Sequence, residues 1–174
     1  MRKIAPAIDI FLQPGEIYFG DEQTRIRTVL GSCVAITLWH PQQKIGGMCH
    51  YMLAKRRSAQ TEELDGKYAD EALQLLLREI AVAGGNAREY EVKLFGGGNM
   101  FMHVPLPAKR GINVADDNVI AGRELLNRHG FAVTAEHLGG HGHRQIVFEI
   151  HTGDVWLRKH QIQKNNAVLG AEAS

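Results

Sequence analysis

The order of helix-like and strand-like segments is the feature that most constrains the fold of this 174-residue sequence. Apolar residues recur at helical spacing from Tyr68 to Val82, and Gly84-Gly85 ends that segment. Asp116 and Asp117 suit the start of a second helix, which Gly130 follows. Short β-rich segments surround these two helices without alternating with them one for one. The pattern predicts a single α+β domain with mixed sheets and disfavours a doubly wound fold.

Short apolar or alternating segments predict the strands. The predicted strands cover residues 17–19, 25–30, 34–39, 44–54, 92–95, 131–136, 144–151 and 155–159. His40-Pro41-Gln42-Gln43 is predicted to form the turn of one hairpin, and Thr152-Gly153-Asp154 the turn of another. Residues 55–67 are expected to form a polar loop, and Pro105 and Pro107 make the segment 100–111 irregular.

Composition narrows the class of protein. The length suits one domain, predicted over residues 1–160, with a flexible tail over 161–174. A net charge of +1 gives no basic field for nucleic acid, and no apolar run is long enough to insert in a membrane. The two cysteines, Cys33 and Cys49, do not make a disulfide framework, so a reducing cytoplasm is the expected location.

The first hairpin brings a cysteine and a histidine together. If the turn spans His40 to Gln43, Trp39 pairs with Lys44, and the same antiparallel register places Cys33 opposite His50. Directly opposite residues share a face, with Cβ atoms about 4.5–5.5 Å apart. A change of one residue in the turn would alter this register. Cys49 adjoins His50 and is expected to face the other side of the strand.

A cysteine beside a histidine suits nucleophilic catalysis. The imidazole takes the thiol proton and later protonates the leaving group. Gly31 and Ser32, just before Cys33, allow a sharp turn that presents backbone N–H groups to an oxyanion. The alternative is structural, because a cysteine within an apolar strand is commonly a core residue.

Several motifs together resemble a known family. Leu30-Gly31-Ser32-Cys33-Val34-Ala35 and Gly46-Gly47-Met48-Cys49-His50-Tyr51-Met52-Leu53 look like the CheD family of chemoreceptor glutamine deamidases in bacterial chemotaxis. The resemblance covers roughly residues 12 to 160. It continues through these segments: Pro14-Gly15-Glu16, Lys67-Tyr68-Ala69-Asp70, Phe95-Gly96-Gly97-Gly98-Asn99-Met100-Phe101, Gly111-Ile112-Asn113, Asn118, Gly139-Gly140 and Thr152-Gly153.

The resemblance implies a fold, a site and partners. The fold would be a three-layer α/β/β sandwich similar to the catalytic domain of cytotoxic necrotizing factor toxins. The site would be a Cys-His-Thr set of Cys33, His50 and Thr28, with no cofactor. The substrates would be glutamines on the cytoplasmic helices of methyl-accepting chemoreceptors, and a CheC-type phosphatase is a second possible partner.

Three other groups of residues invite functional interpretations. His137, His141 and His143 suggest a metal site, but their spacing matches no metal motif and no acidic cluster accompanies them. Gly96-Gly97-Gly98 lacks a nucleotide-binding pattern and is interpreted as backbone packed close to the site. Lys55-Arg56-Arg57 is interpreted as a solvated loop. A weaker alternative is that these residues help to dock an acidic receptor surface.

Three classes of function remain open. The first is an enzyme that deamidates protein glutamine, which needs Cys33 and His50. The second is a non-catalytic adaptor that binds chemoreceptors or a CheC-type phosphatase. The third is a thiol protease, which the sequence does not favour because no peptide cleft is evident.

Overall fold

The structure is a computed structural model that describes residues 8–58, 62–101 and 113–161. These ranges contain nine strands, two α-helices and a single 3-10 turn at Ala87–Glu89. In chain order the elements are β1 (Ile8–Phe11), β2 (Ile17–Gly20), β3 (Thr24–Leu30), β4 (Val34–His40), β5 (Ile45–Tyr51), α1 (Ala69–Val82), β6 (Glu91–Gly96), α2 (Val114–Arg128), β7 (Val133–Leu138), β8 (His143–Glu149) and β9 (Asp154–His160).

The strands form two mixed sheets. The five-stranded sheet has the order β2-β5-β4-β6-β7, and the four-stranded sheet has the order β1-β3-β8-β9. Each sheet contains one parallel pair, β6 with β7 and β1 with β3, while the other neighbours are antiparallel. The predicted α+β class with mixed sheets is confirmed.

Alternation along the central strands separates two buried layers. Ile36 and Leu38 of β4 pack with α1 and α2 in the first apolar cluster, which we call the helix layer. Ala35 and Met48 pack with β3 and β8 in the second, which we call the inter-sheet layer. The helices, the five-stranded sheet and the four-stranded sheet are therefore stacked in that order. The likeness to the toxin domain stays a prediction.

The two helices lie close to their predicted positions because each has one apolar stripe. Helix α1 buries Ala69, Ala72, Leu73, Leu76 and Ile80 against the sheet. Full burial of a side chain such as Leu73 contributes about 1.5–3 kcal/mol. Helix α2 starts after Asn113, whose side-chain oxygen accepts a hydrogen bond from the Asp116 N–H.

The predicted register of the first hairpin is wrong by two residues. His40 remains in β4 and pairs with Ile45, so the loop is Pro41 to Lys44 and Ala35, not Cys33, lies opposite His50. His40 stays in the strand because its ring is buried edge-on against Tyr90, with ring centroids 5.2 Å apart. The loop closes with Lys44 at φ 50, where its N–H donates to the His40 carbonyl at 2.9 Å.

The structure differs from the predictions at the last hairpin and at β1, and two predicted segments lie outside the described residues. The last hairpin forms, but its loop is Ile150 to Gly153 instead of the predicted turn Thr152-Gly153-Asp154, because Asp154 already pairs with Glu149. Strand β1 was not predicted, and it pairs in parallel with β3 at the edge of its sheet. The predicted tail from residue 162 onwards and most of the proline-containing segment, residues 102–112, lie outside the described residues.

Candidate active site

A threonine and a histidine from the two different sheets meet in the inter-sheet layer. Thr28 lies on β3 between the core positions Ile26 and Leu30, and strand alternation turns its side chain to the same side. His50 lies on β5, two residues after Met48 of the same layer. The Thr28 Oγ1 and His50 Nδ1 atoms are 2.8 Å apart, and both residues are buried.

The threonine determines which nitrogen of His50 carries the proton. Thr28 Oγ1 donates its single hydrogen to the Leu12 carbonyl oxygen at 2.8 Å, and that oxygen can only accept. Towards His50 the hydroxyl oxygen must therefore accept, which places the imidazole hydrogen on Nδ1. Nε2 is left with a free lone pair, and it is buried without a hydrogen-bond partner among the described residues.

Burial keeps the His50 ring neutral. The loss of solvation lowers the pKa of His50 from 6.5 to about 4, so the imidazole is unprotonated near neutral pH. The neutral ring has a defined tautomer and a free lone pair on Nε2, and its low pKa makes it a weaker base than a solvated imidazole. The geometry of His50 is thus compatible with proton transfer through Nε2.

Cys33 lies next to His50 but forms no hydrogen bond with its ring. It immediately precedes β4 and is two residues before Ala35, the partner of His50, so the two side chains are diagonal neighbours. Such neighbours are about 7–8 Å apart, a gap that a change in side-chain rotamers can reduce. Cys33 is a free, partly buried thiol that packs at the edge of the inter-sheet layer.

Two opposing effects act on the Cys33 thiol. Desolvation by burial is the larger and raises the pKa of Cys33, while its own backbone N–H lowers that pKa. The resting site therefore contains a protonated thiol and a neutral imidazole, not a preformed thiolate–imidazolium pair.

The glycine segment after β6 holds the backbone around Cys33. The Gly97 N–H donates to the Cys33 carbonyl at 2.9 Å, and the Gly98 N–H donates to the Gly31 carbonyl at 2.8 Å. A Cβ on Gly96, which has φ 116, would lie 2.2 Å from the Cys33 carbonyl oxygen. The prediction that Gly96-Gly97-Gly98 is backbone packed close to the site is confirmed.

The second cysteine is in a different environment. Cys49 adjoins His50 on β5 but faces the helix layer, as the strand alternation predicted. Its side chain is completely buried, and burial raises the pKa of Cys49 to about 12. Cys49 is therefore a core residue and has no access to the His50 ring.

The histidine-rich segment does not gather into a metal site within the described residues. His137 Nδ1 accepts a hydrogen bond from Arg144 Nε at 2.8 Å, whereas the His143 ring stacks on His160 with centroids 4.6 Å apart. His141 lies on the surface. His137 and His143 thus have different partners, while His141 is exposed.

The basic loop is only partly solvated. Lys55 and Arg57 are exposed, but Arg56 forms a two-pronged ion pair with Glu71 of α1, at 2.9 and 2.8 Å. The Arg56 guanidinium also lies over the Tyr68 ring, 4.8 Å from its centroid. The prediction of a fully solvated segment is wrong for Arg56 because α1 offers a carboxylate and an aromatic ring within its reach.

One partner of the site carries no signal in the sequence. The Leu12 carbonyl directs the Thr28 hydroxyl, but any residue has a carbonyl, so residue type does not reveal this role. Leu12 itself is buried because the chain turns into the inter-sheet layer after β1, where its N–H donates to the Arg27 carbonyl at 2.8 Å. Only the fold places that carbonyl beside Thr28.

The fold and site define an α+β domain with a free thiol beside a buried histidine–threonine pair. A sequence model of the CheD family, described as CheD chemotactic sensory transduction, matches residues 52–159. This chain belongs to the CheD family. The matched range begins two residues after His50, so this assignment does not depend on Thr28, Cys33 or His50.

Curated relatives agree with the family assignment. The "Probable chemoreceptor glutamine deamidase CheD 3" of Dechloromonas aromatica (strain RCB) is 48% identical over 149 residues, which cover 86% of this chain and 86% of that protein. The "Probable chemoreceptor glutamine deamidase CheD" of Pseudomonas fluorescens (strain SBW25) is 49% identical over 160 residues, with coverage of 91% and 88%.

Structural similarity to a solved protein is more distant. The crystal structure of YlmD from Geobacillus stearothermophilus aligns with a TM-score of 0.46 and 11% identity, over 78% of this chain and 60% of that one. This similarity is too low to define a function. No helix in the described ranges has the length and apolar character needed to cross a membrane.

Proposed function

We propose that this chain is a cysteine-dependent protein-glutamine deamidase that acts on chemoreceptors in the cytoplasm. One observation carries the proposal: the His50 ring is held in a single tautomer by Thr28, with Nε2 free and Cys33 as its diagonal neighbour. The names of the relatives supply the reaction and the substrate class, since both are called chemoreceptor glutamine deamidases.

Deamidation would begin with proton transfer from the Cys33 thiol to His50 Nε2. The thiolate attacks the carbonyl carbon of the glutamine side chain, which forms a carbon–sulfur bond and moves an electron pair onto the oxygen. When the carbon–nitrogen bond breaks, the imidazolium returns its proton to the leaving nitrogen, and ammonia departs. A glutamyl thioester remains on Cys33.

Water completes the reaction through the same base. His50 removes a proton from water as its oxygen attacks the thioester carbon, and the carbon–sulfur bond breaks to give glutamate and the free thiol. Because burial lowers the pKa of His50 to about 4, its protonated form gives up the proton readily to the leaving nitrogen or to sulfur. The net change is glutamine plus water to glutamate plus ammonia.

Backbone amides next to Cys33 are suited to stabilise the oxyanion. The turn formed by Gly31 and Ser32 brings the chain from β3 in one sheet to β4 in the other. The N–H groups of Ser32 and Cys33 donate to no carbonyl in the described ranges. We assign these two amides to the developing negative charge, in the role predicted for the Gly31-Ser32 turn.

The chain that follows His50 lines a surface groove suited to a protein substrate. A groove of about 510 Å³ runs beside the segment that follows β5, with Leu53, Tyr68 and Asp117 among its lining residues. Lys55 and Arg57 also line it and give one side a positive charge. A helix of a receptor with acidic residues near the target glutamine would meet favourable charges here.

Ammonia release from purified chemoreceptor cytoplasmic fragments tests the proposal. We expect the wild-type chain to release ammonia and to increase receptor mass by about one dalton per site, since an amide NH₂ becomes OH. Cys33→Ala should lower the rate by about 10⁴-fold or more, because the nucleophile is lost. Cys49→Ala is the matched control and should keep the activity, since Cys49 faces the helix layer.

Equal ammonia release by the wild type and Cys33→Ala would overturn the catalytic assignment. Binding of receptor fragments or of a CheC-type phosphatase without any release would instead support the adaptor alternative. Cleavage of the receptor backbone would indicate a thiol protease. Mass spectrometry of the receptor distinguishes these outcomes.

A further inference from the structure

The ladder between β4 and β5 ends at the site. Its last pair is Val34 with Tyr51, which lie directly after Cys33 and directly after His50. In the same register the next pair would be Cys33 with Met52, but both residues lie outside the strands. The two segments separate here, and their carbonyl groups need other donors.

One side chain from helix α2 supplies those donors. Asn118 Nδ2 donates to the Ser32 carbonyl at 3.0 Å and to the Met52 carbonyl at 2.8 Å. A carboxamide nitrogen carries two hydrogens, so each carbonyl receives one. Asn118 is completely buried and thus replaces the missing rung of the ladder with a bridge from the helix.

The orientation and position of this bridge are determined by its neighbours. Two carbonyl oxygens can be served only by the NH₂ end of the carboxamide, so the Asn118 side chain cannot be flipped. The Tyr51 hydroxyl donates to the Asn118 carbonyl at 2.6 Å, which ties the helix to the residue after His50. Gly122 allows this approach, because a Cβ there would lie 2.5 Å from the Tyr51 oxygen.

Stability alone does not explain an asparagine at this position. Asparagine is a poorer helix former than leucine, and it occupies a buried position within α2. Its Oδ1 atom is buried without a partner among the described residues, which is unfavourable. An aliphatic side chain would suit the neighbouring apolar helix layer better, but it could not bind the two carbonyls.

We infer that Asn118 is a positioning residue that sets the distance and orientation of Cys33 relative to His50, an inference that rests on the proposed function. Asn118 holds the carbonyl before Cys33, and the Gly97 N–H holds the carbonyl of Cys33 itself. The same carboxamide holds the segment that leaves His50. A misplacement of about 1 Å at such a site can reduce the rate about 100-fold.

Selective alkylation measures this coupling without a receptor. Iodoacetamide is reacted at pH 7 with the native wild type, His50→Ala, Asn118→Leu and the double variant, and the two cysteines are read separately by mass spectrometry. Trypsin places Cys33 in the peptide 28–44 and Cys49 in the peptide 45–55. Buried Cys49 reports whether each variant is folded, and Asn127→Leu on the exposed side of α2 is the matched control.

We expect His50→Ala to slow Cys33 alkylation about tenfold in the wild-type background and to have almost no effect in the Asn118→Leu background. The same factor in both backgrounds, with Cys49 still protected, would overturn the inference. If Asn118→Leu exposes Cys49, the cycle is repeated with Tyr51→Phe, which removes one hydrogen bond and keeps the ring. If His50→Ala then slows Cys33 alkylation less in the Tyr51→Phe background than in the wild-type background, the inference is supported. If it slows alkylation equally in both backgrounds, the inference is overturned.

Steady-state kinetics give a second measurement. Asn118→Leu should lower kcat about 100-fold and change KM by less than about twofold, because the substrate surface is kept while the reacting groups are displaced. Unchanged kcat in a folded Asn118→Leu protein would also overturn the inference. Failure of the proposed function would appear as ammonia release that does not depend on Cys33, whereas the alkylation cycle needs no substrate.

Discussion

The two cysteines of this protein lie on opposite faces of one sheet and differ in their accessibility and in their neighbours. Burial raises the pKa of both thiols, and Cys49, in the helix layer, reaches about 12. Cys33 lies at the edge of the inter-sheet layer, where it is partly accessible and has His50 as a diagonal neighbour. The direction of the pKa shift therefore does not distinguish the two cysteines, whereas their accessibility and neighbours do.

The two layers also differ in the polar groups they bury. The inter-sheet layer contains Thr28, His50 and Arg144 close to the end that holds Cys33. The helix layer surrounds Cys49 with aliphatic and aromatic side chains. An imidazole as diagonal neighbour and an open edge therefore distinguish the surroundings of Cys33, and the effect of both can be tested.

The largest expected difference is in alkylation of the two thiols. In the native protein Cys33 should react with iodoacetamide at least about 10³-fold faster than Cys49, because Cys49 must wait for opening of the core. Peptide mass spectrometry over time measures both rates in one sample. Comparable rates would show that the helix layer opens readily and would remove the contrast between the two faces.

Acid should weaken the inter-sheet layer through His50. The pKa of His50 is lowered from 6.5 to about 4 by burial, so between these values the unfolded chain binds a proton that the folded chain does not. The contribution of His50 to the free energy of unfolding is therefore fully present above pH 6.5. It is lost as the pH drops towards 4, and the loss amounts to roughly 3 kcal/mol in all.

Urea unfolding at several pH values, compared between the wild type and His50→Gln, measures this contribution. Glutamine does not titrate, so the two stability curves should diverge as the pH falls through that window. Parallel curves would indicate that His50 is not desolvated as the structure places it. Other titrating groups are common to both proteins and cancel in the difference.

The smallest expected effect comes from the hydroxyl of Thr28. Thr28→Val keeps the β-branched shape but removes the acceptor for His50 Nδ1–H, so the tautomer is no longer held. We expect kcat to fall about tenfold, the value of one hydrogen bond. Thr37→Val, a buried threonine on β4, is the matched control in the ammonia assay. Equal losses in both variants would assign Thr28 a packing role only.

Much of this arrangement follows from residue patterns that are local in the sequence. Apolar spacing predicted α1, the acidic pair Asp116-Asp117 and the following Gly130 predicted α2, and alternation predicted that Cys49 turns away from the face of His50. These predictions hold because a helical stripe or a strand face depends on neighbours within a few residues. The motif around Gly-Ser-Cys led to the CheD family, and that family membership is confirmed by the match to residues 52–159.

The sequence by itself determined which residues are candidates for the chemistry and which strand face Cys49 occupies, while the tertiary structure decided how the candidates meet. The observed hairpin register differs from the predicted one by two residues. The reasons are that His40 packs against Tyr90, far along the chain, and that Lys44 adopts an unusual left-handed conformation. Thr28 and His50 touch only because two sheets stack, and Asn118 bridges two carbonyls that carry no sequence signal. Contacts between distant segments depend on packing, which local patterns do not encode.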